Sequence, residues 1–169
     1  MRSWPTSSSR KRPTRSGDVA NTAATILFRR STERAGLART AFSSGRSRSA
    51  ATDITGFGLA GHAWAIARHS RLTLEIRAAD LPLLPRAASL APRFPPAGLK
   101  SNRRHFEPEV EYRADPGDEL KALLYDPQTS GGLFLLVPEE EAAALLAELP
   151  GARAIGHAVA RAGRAIAIV

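Results

Sequence analysis

Cysteine is absent from the 169-residue sequence. That excludes a disulfide framework, a thiolate zinc site and a cysteine nucleophile within the chain, and it fits a cytoplasmic protein. Long apolar runs are absent too. None approaches the roughly 18–20 residues that a membrane-spanning helix requires, so no membrane partner is expected. The opening Met1-Arg2-Ser3-Trp4-Pro5 has basic residues but no apolar stretch behind them, which argues against a secretory signal. Acidic residues are scarce in one place only. Residues 1–50 hold 11 Lys/Arg against 2 Asp/Glu, a balance of +9, whereas residues 51–169 hold 13 against 14, a balance of −1. The formal charge of +8 therefore belongs to the N-terminal segment. A basic nucleic-acid groove on the remainder is not supported.

The first fifty residues contain ten Arg and ten Ser and show almost no hydrophobic periodicity. Such a composition buries too little apolar surface to offset chain entropy, so residues 1–50 are expected to be mostly disordered. Only Ala23–Phe28 reads as a short piece capable of order. A solvated tail is the simplest reading. An arm that touches RNA or a membrane, a segment of organelle-transit composition and a segment translated from a shifted frame are the alternatives.

From Ala51 the pattern is regular, and residues 51–169 read as one domain. Residues 51–54 end a strand, Thr55-Gly56-Phe57 turns, and residues 58–69 form a helix with Leu59, Ala63, Ile66 and Ala67 on one face. Leu72, Leu74 and Ile76 alternate with polar residues as a strand. Five prolines between residues 80 and 98 leave room for one short helix around Arg86–Leu90. Residues 99–114 read as polar loop with a strand near Glu109–Tyr112, where Glu107, Glu109 and Glu111 alternate as on an exposed face. Glu119–Leu124 is a helical turn and Leu133–Val137 a buried strand. Pro138 is expected at helix position N1, ahead of Glu139–Glu141. Arg153–Ala160 and Arg164–Val169 read as a closing strand pair around Ala162-Gly163. No internal repeat is present. Helices interleaved with strands over this length indicate an α/β or α+β sandwich.

Two runs carry the chemistry. In Thr52-Asp53-Ile54-Thr55-Gly56-Phe57-Gly58, Asp53 stands at a strand end before a helix. Its carboxylate suits Mg²⁺, which takes one or two carboxylates together with substrate phosphates, or it caps the helix as a turn aspartate. Gly56 and Gly58 admit a phosphate to the backbone or serve a tight turn, and the turn is favoured. His62, one turn on, is read as a packing or capping residue rather than a base. In Tyr125-Asp126-Pro127-Gln128-Thr129-Ser130-Gly131-Gly132-Leu133 the residues Asp126, Gln128, Thr129, Ser130, Gly131 and Gly132 form either a loop lining a cleft or a turn that sets strand register. Asn102 and Arg103 could reach phosphate oxygens, although a solvated loop is favoured there.

Both runs, in this order and spacing, resemble signatures of the C-terminal half of the selenophosphate synthetases (selenide, water dikinases), within the aminoimidazole ribonucleotide synthetase-like superfamily. Pro96-Ala97-Gly98-Leu99-Lys100-Ser101-Asn102-Arg103 is similar to that family's proline-glycine stretch. The resemblance spans roughly residues 51–169. It implies an α+β fold, a mixed β-sheet covered by helices, like the C-terminal domain of aminoimidazole ribonucleotide synthetase. It also implies ATP-dependent conversion of selenide and water to selenophosphate, AMP and phosphate, with ATP and selenide as substrates. Asp53 would be the residue that holds Mg²⁺ on ATP, and Thr55, Gly56, Gly58 and Asn102 would lie near the nucleotide.

The family's N-terminal half carries its Cys or selenocysteine nucleophile, lysine, glycine-rich loop and other metal aspartates, and none of these resembles anything here. No catalytic residue is therefore expected in this chain, and activity is expected only with a supplied N-terminal half. The other readings are a non-catalytic partner that docks on a full-length homologue and a nucleic-acid binder acting through residues 1–50.

Overall fold

The structure is a computed structural model, and it describes residues 23–28, 50–129 and 131–169. The described residues form a seven-stranded mixed sheet in the order β2-β5-β1-β6-β3-β7-β4. The strands are β1 (Ala23–Phe28), β2 (Ala50–Asp53), β3 (Leu72–Ile76), β4 (Val110–Tyr112), β5 (Leu133–Pro138), β6 (Ala152–Ala160) and β7 (Ile166–Ile168). The helices are α1 (Gly58–Ser70), α2 (Ala87–Leu90), α3 (Ala97–Phe106), α4 (Asp118–Leu124) and α5 (Glu139–Glu148). None among the described residues is long and apolar enough to cross a membrane. The α+β architecture with a helix-covered mixed sheet is the one expected from the sequence.

Alternation along β5 explains the two layers. Phe134 and Leu136 join the main core beside Leu59, Ala63 and Ile66 of α1. Leu135 and Val137, one residue out of phase, join a second cluster with Ala142, Leu145 and Leu149. A strand with apolar residues on both faces must be covered twice, and α1 and α5 cover it. β1 lies between β5 and β6, antiparallel to both. The one stretch of residues 1–50 capable of order thus supplies an interior strand. The disorder expected for the rest of that segment concerns residues outside those described.

Three expectations need correction. Residues 97–106 are helix, not loop: Leu99, Asn102 and Phe106 are its buried residues, spaced three and four apart as one helical face requires. Pro138 is the N-cap of α5, one position before N1. β6 and β7 are not a hairpin, because β3 lies between them, antiparallel to β6 and parallel to β7. The connection wraps the start of β3. The Ala162 N–H donates to Thr73 Oγ1 at 3.0 Å, and that hydroxyl donates to the Arg164 carbonyl at 2.8 Å. Thr73 is fully buried, so satisfying its hydroxyl fixes this path.

Candidate functional site

The two chemistry-bearing runs are adjacent in space because β2 and β5 pair. Asp53 is opposite Leu133 in the antiparallel register, and Ile54 N–H continues the ladder by donating to the Gly132 carbonyl at 2.9 Å. The Gln128 N–H donates to the Thr55 carbonyl at 3.2 Å. Beyond that bond the two segments approach too closely for side chains. A Cβ on Gly131 would lie 2.2 Å from the Ile54 carbonyl oxygen. A Cβ on Gly58 would lie 2.9 Å from the Leu124 carbonyl oxygen, and the Gly58 φ of +69° is one that residues with a side chain rarely adopt.

Asn102 locks the junction from α3. Its Nδ2 donates to the Gly56 carbonyl at 2.8 Å and to the Tyr125 carbonyl at 3.0 Å. The side chain is buried, so it ties the exposed Gly56 turn to the buried backbone at Tyr125. Below it, Tyr125 is fully buried, and its hydroxyl meets that of Tyr112 at 2.7 Å. Burial raises both phenols, and the bond to Tyr112 raises Tyr125 further. Neither the Tyr pair nor the bridging role of Asn102 was visible in sequence. The Leu99–Asn102–Phe106 spacing was the available clue to the second.

His62 faces back to the turn that precedes its helix. The Thr55 N–H donates to Nε2 at 3.0 Å, and Thr55 Oγ1 lies 3.1 Å from the same nitrogen. A backbone N–H can only donate, so Nε2 is an acceptor and the ring proton sits on Nδ1. Nδ1 lies 3.3 Å from Thr52 Oγ1, which donates to the Asp53 carbonyl at 3.0 Å. Burial lowers the His62 pKa and the nearby Asp53 carboxylate opposes that shift. His62 therefore caps the turn as a neutral ring, as the sequence suggests.

Asp53 ends the edge strand exposed, and its carboxylate has no hydrogen bond or ion pair with a described residue. Among the described residues no group of three His, Asp or Glu gathers that could enclose a metal. A cation at Asp53 would therefore have one carboxylate from this turn and would take its remaining ligands from water and phosphate oxygens. The other residues expected near a nucleotide are differently placed. Thr55 uses its N–H, carbonyl and hydroxyl on His62, Gly58 and Gln128. The bare face of Gly58 is filled by the chain at Leu124–Asp126, and both amide hydrogens of Asn102 are engaged. Gly56 is exposed, with open space where a Cβ would stand.

Asp126, Gln128, Thr129, Gly131 and Gly132 line a cleft of about 540 Å³ together with leucines of residues 81–84 and 123–124. Ser130 lies outside the described residues. Burial raises the Asp126 pKa.

Residues 33–168 match the family described as AIR synthase related protein, C-terminal domain. Among curated proteins, the chain is 36% identical over 124 residues to selenide, water dikinase 2 of Peptoclostridium acidaminophilum, covering 70% of this chain and 35% of that protein. It is 44% identical over 99 residues to the selenide, water dikinase of Geobacter metallireducens, covering 58% and 29%. The chain spans about a third of the length of these relatives. Among solved structures, E. coli HypE superposes with a TM-score of 0.55 at 16% identity, over 89% of this chain and 47% of that one. Hydrogenase maturation protein HypE in complex with ATP gives 0.53 at 19% identity, over 90% and 49%. At such identities these structures share the fold.

Proposed function

Because the chain belongs to the AIR synthase related family through that family's C-terminal domain, we propose that it is the C-terminal lobe of a selenide, water dikinase. The reaction is that of ATP, selenide and water giving selenophosphate, AMP and phosphate. The observation that carries this reading is the identity of 36–44% to proteins named for that activity. The interlocked site supports it. Asp53 presents an unengaged carboxylate at the rim of the sheet, on a turn held by His62 and Asn102. Phosphoryl transfer depends mainly on positioning and on neutralising developing charge, and Mg²⁺ supplies that neutralisation when bound. The chain's own contribution is a carboxylate at the end of a paired strand, beside a turn held by hydrogen bonds.

The polypeptide alone lacks the activity in this reading, since the relatives hold about two thirds of their length outside the matched part. The test is a chimera in which residues 23–169, which include the interior strand β1, replace the matching segment of the Peptoclostridium acidaminophilum enzyme. Selenide-dependent AMP formation supports the reading. A folded chimera without it removes the reading. The same partial coverage favours one other reading, a non-catalytic chain that docks on a complete homologue, which co-purification with the full-length relative would reveal.

A further inference from the structure

The balance of −1 over residues 51–169 is not spread evenly through the fold. α1 and α3, which meet on the main-core face of the sheet, contain no Asp or Glu. α5, packed in the second cluster, contains four Glu and no Lys or Arg. A sum along the sequence cannot see this segregation. The chain outside the described residues does not cancel it, because residues 1–50 carry +9. α3 buries Leu99, Asn102 and Phe106, which leaves Lys100 and Arg104, four residues apart, on its exposed side. Arg103 is taken by Glu107 at 2.9 Å, whereas Lys100 and Arg104 form no ion pair with a described residue. Between the helices the surface is aromatic. Trp64 of α1 meets the His105 ring edge-on, with centroids 6.1 Å apart, and the Arg68 guanidinium lies 5.1 Å from the Trp64 ring centre. Arg68 and His105 are both exposed.

We propose that the α1–α3 face binds single-stranded nucleic acid, with phosphates on Lys100 and Arg104 and a base stacked on Arg68 where it rests against Trp64. A phosphodiester backbone is held by successive cations, and an unpaired base needs a flat aromatic or guanidinium surface. This face carries both, and no acidic residue of either helix opposes the strand. An anionic lipid surface fits it less well. Of the exposed large apolar residues only Phe57 borders these helices, so the face lacks the apolar stripe that an interfacial helix inserts. The inference goes beyond the dikinase reading and requires neither that activity nor a cation at Asp53.

Fluorescence anisotropy of a labelled 12-nucleotide single-stranded RNA with the full 169-residue chain tests the assignment, with the fold of each variant checked by circular dichroism. The basic residues 1–50 remain in every variant, so differences report the face. Lys100→Glu with Arg104→Glu weakens binding about tenfold or more. It also makes the slope of log affinity against log salt shallower by about 1.4, the value for two phosphate contacts on a single strand. Arg68→Ala weakens binding about tenfold, as loss of one stacked base does. Arg93→Glu with Arg153→Glu removes the same charge at exposed positions outside these helices and changes affinity no more than about twofold. Equal losses in the two double variants would reduce the effect to net charge and overturn the proposal. Unchanged affinity in Arg68→Ala, a duplex of the same sequence binding as tightly, or binding to phosphatidylserine vesicles without binding to RNA overturns it as well.

Discussion

Gly131 and the Ile54 carbonyl are in such close contact that a single methyl on the glycine would lie 2.2 Å from that oxygen. This packing joins the strand that ends in Asp53 to the loop that lines the cleft. Gly131→Ala must push the two segments apart, since the nearest neighbour, the Ile54 carbonyl, is backbone, whereas the Gln128 Oε1 at 2.9 Å can move aside. The cost is about 3 kcal/mol, at the upper end of overpacking effects. A chain of this size would then melt roughly 6–12 °C lower. Gly56→Ala, with open space at its Cβ, is the control and changes stability by no more than about 0.5 kcal/mol. Thermal melts of both variants check the pair, and equal losses would contradict the packing.

Asn102 is the second joint. Asn102→Ala leaves the Gly56 and Tyr125 carbonyls without a donor and costs about 1–3 kcal/mol. Asn102→Asp costs more at pH 8, because an ionised carboxylate would face two carbonyl oxygens. The gap narrows at pH 5, where a protonated acid can donate one bond. Urea unfolding at both pH values measures it, and a better-tolerated Asp at pH 8 would refute the donor role.

The tyrosine pair predicts an asymmetry. Tyr112→Phe strands the hydroxyl of fully buried Tyr125 and costs about 1–3 kcal/mol. Tyr125→Phe leaves the hydroxyl on Tyr112, which is only half-buried and can be hydrated, so the loss is smaller. Chemical denaturation of both variants decides the order.

His62 sets a pH dependence. Burial holds its folded pKa below the ordinary 6.5, so the unfolded chain takes the proton more readily. The stability His62 contributes is complete above the unfolded value and is lost as pH falls through it toward the folded one. Protonation also places a proton on Nε2, which the Thr55 N–H now uses. His62→Gln flattens the stability loss between pH 7 and pH 5. Parallel losses in wild type and variant would assign the dependence elsewhere.

Both chemistry-bearing runs were legible in sequence because each concentrates Asp, Gly and turn-forming residues, and their adjacency was not. Nothing local states that β2 pairs with β5, since that register is set by Leu133–Pro138, buried on both faces. The helix around Asn102 was obscured by Lys100, Arg103, Arg104 and His105, which occupy its exposed positions, and by Pro95-Pro96 just before it. The closing strands read as a hairpin in the sequence because only Arg161-Ala162-Gly163 separates Arg153–Ala160 from Arg164–Val169, and a short glycine-containing connection normally makes one. The insertion of β3 between them depends on a contact between Thr73 and Arg164, 91 residues apart.

Asp53 is the carboxylate on which the proposed chemistry turns, and it is exposed with no hydrogen bond or ion pair to a described residue, so Asp53→Ala leaves the fold intact. The most direct measurement is selenide-dependent AMP formation by the chimera, with and without that substitution. Loss of turnover on the order of 100-fold with unchanged melting is the expected result. Full turnover with alanine in place of Asp53 would contradict the assignment of this carboxylate to the nucleotide-bound cation.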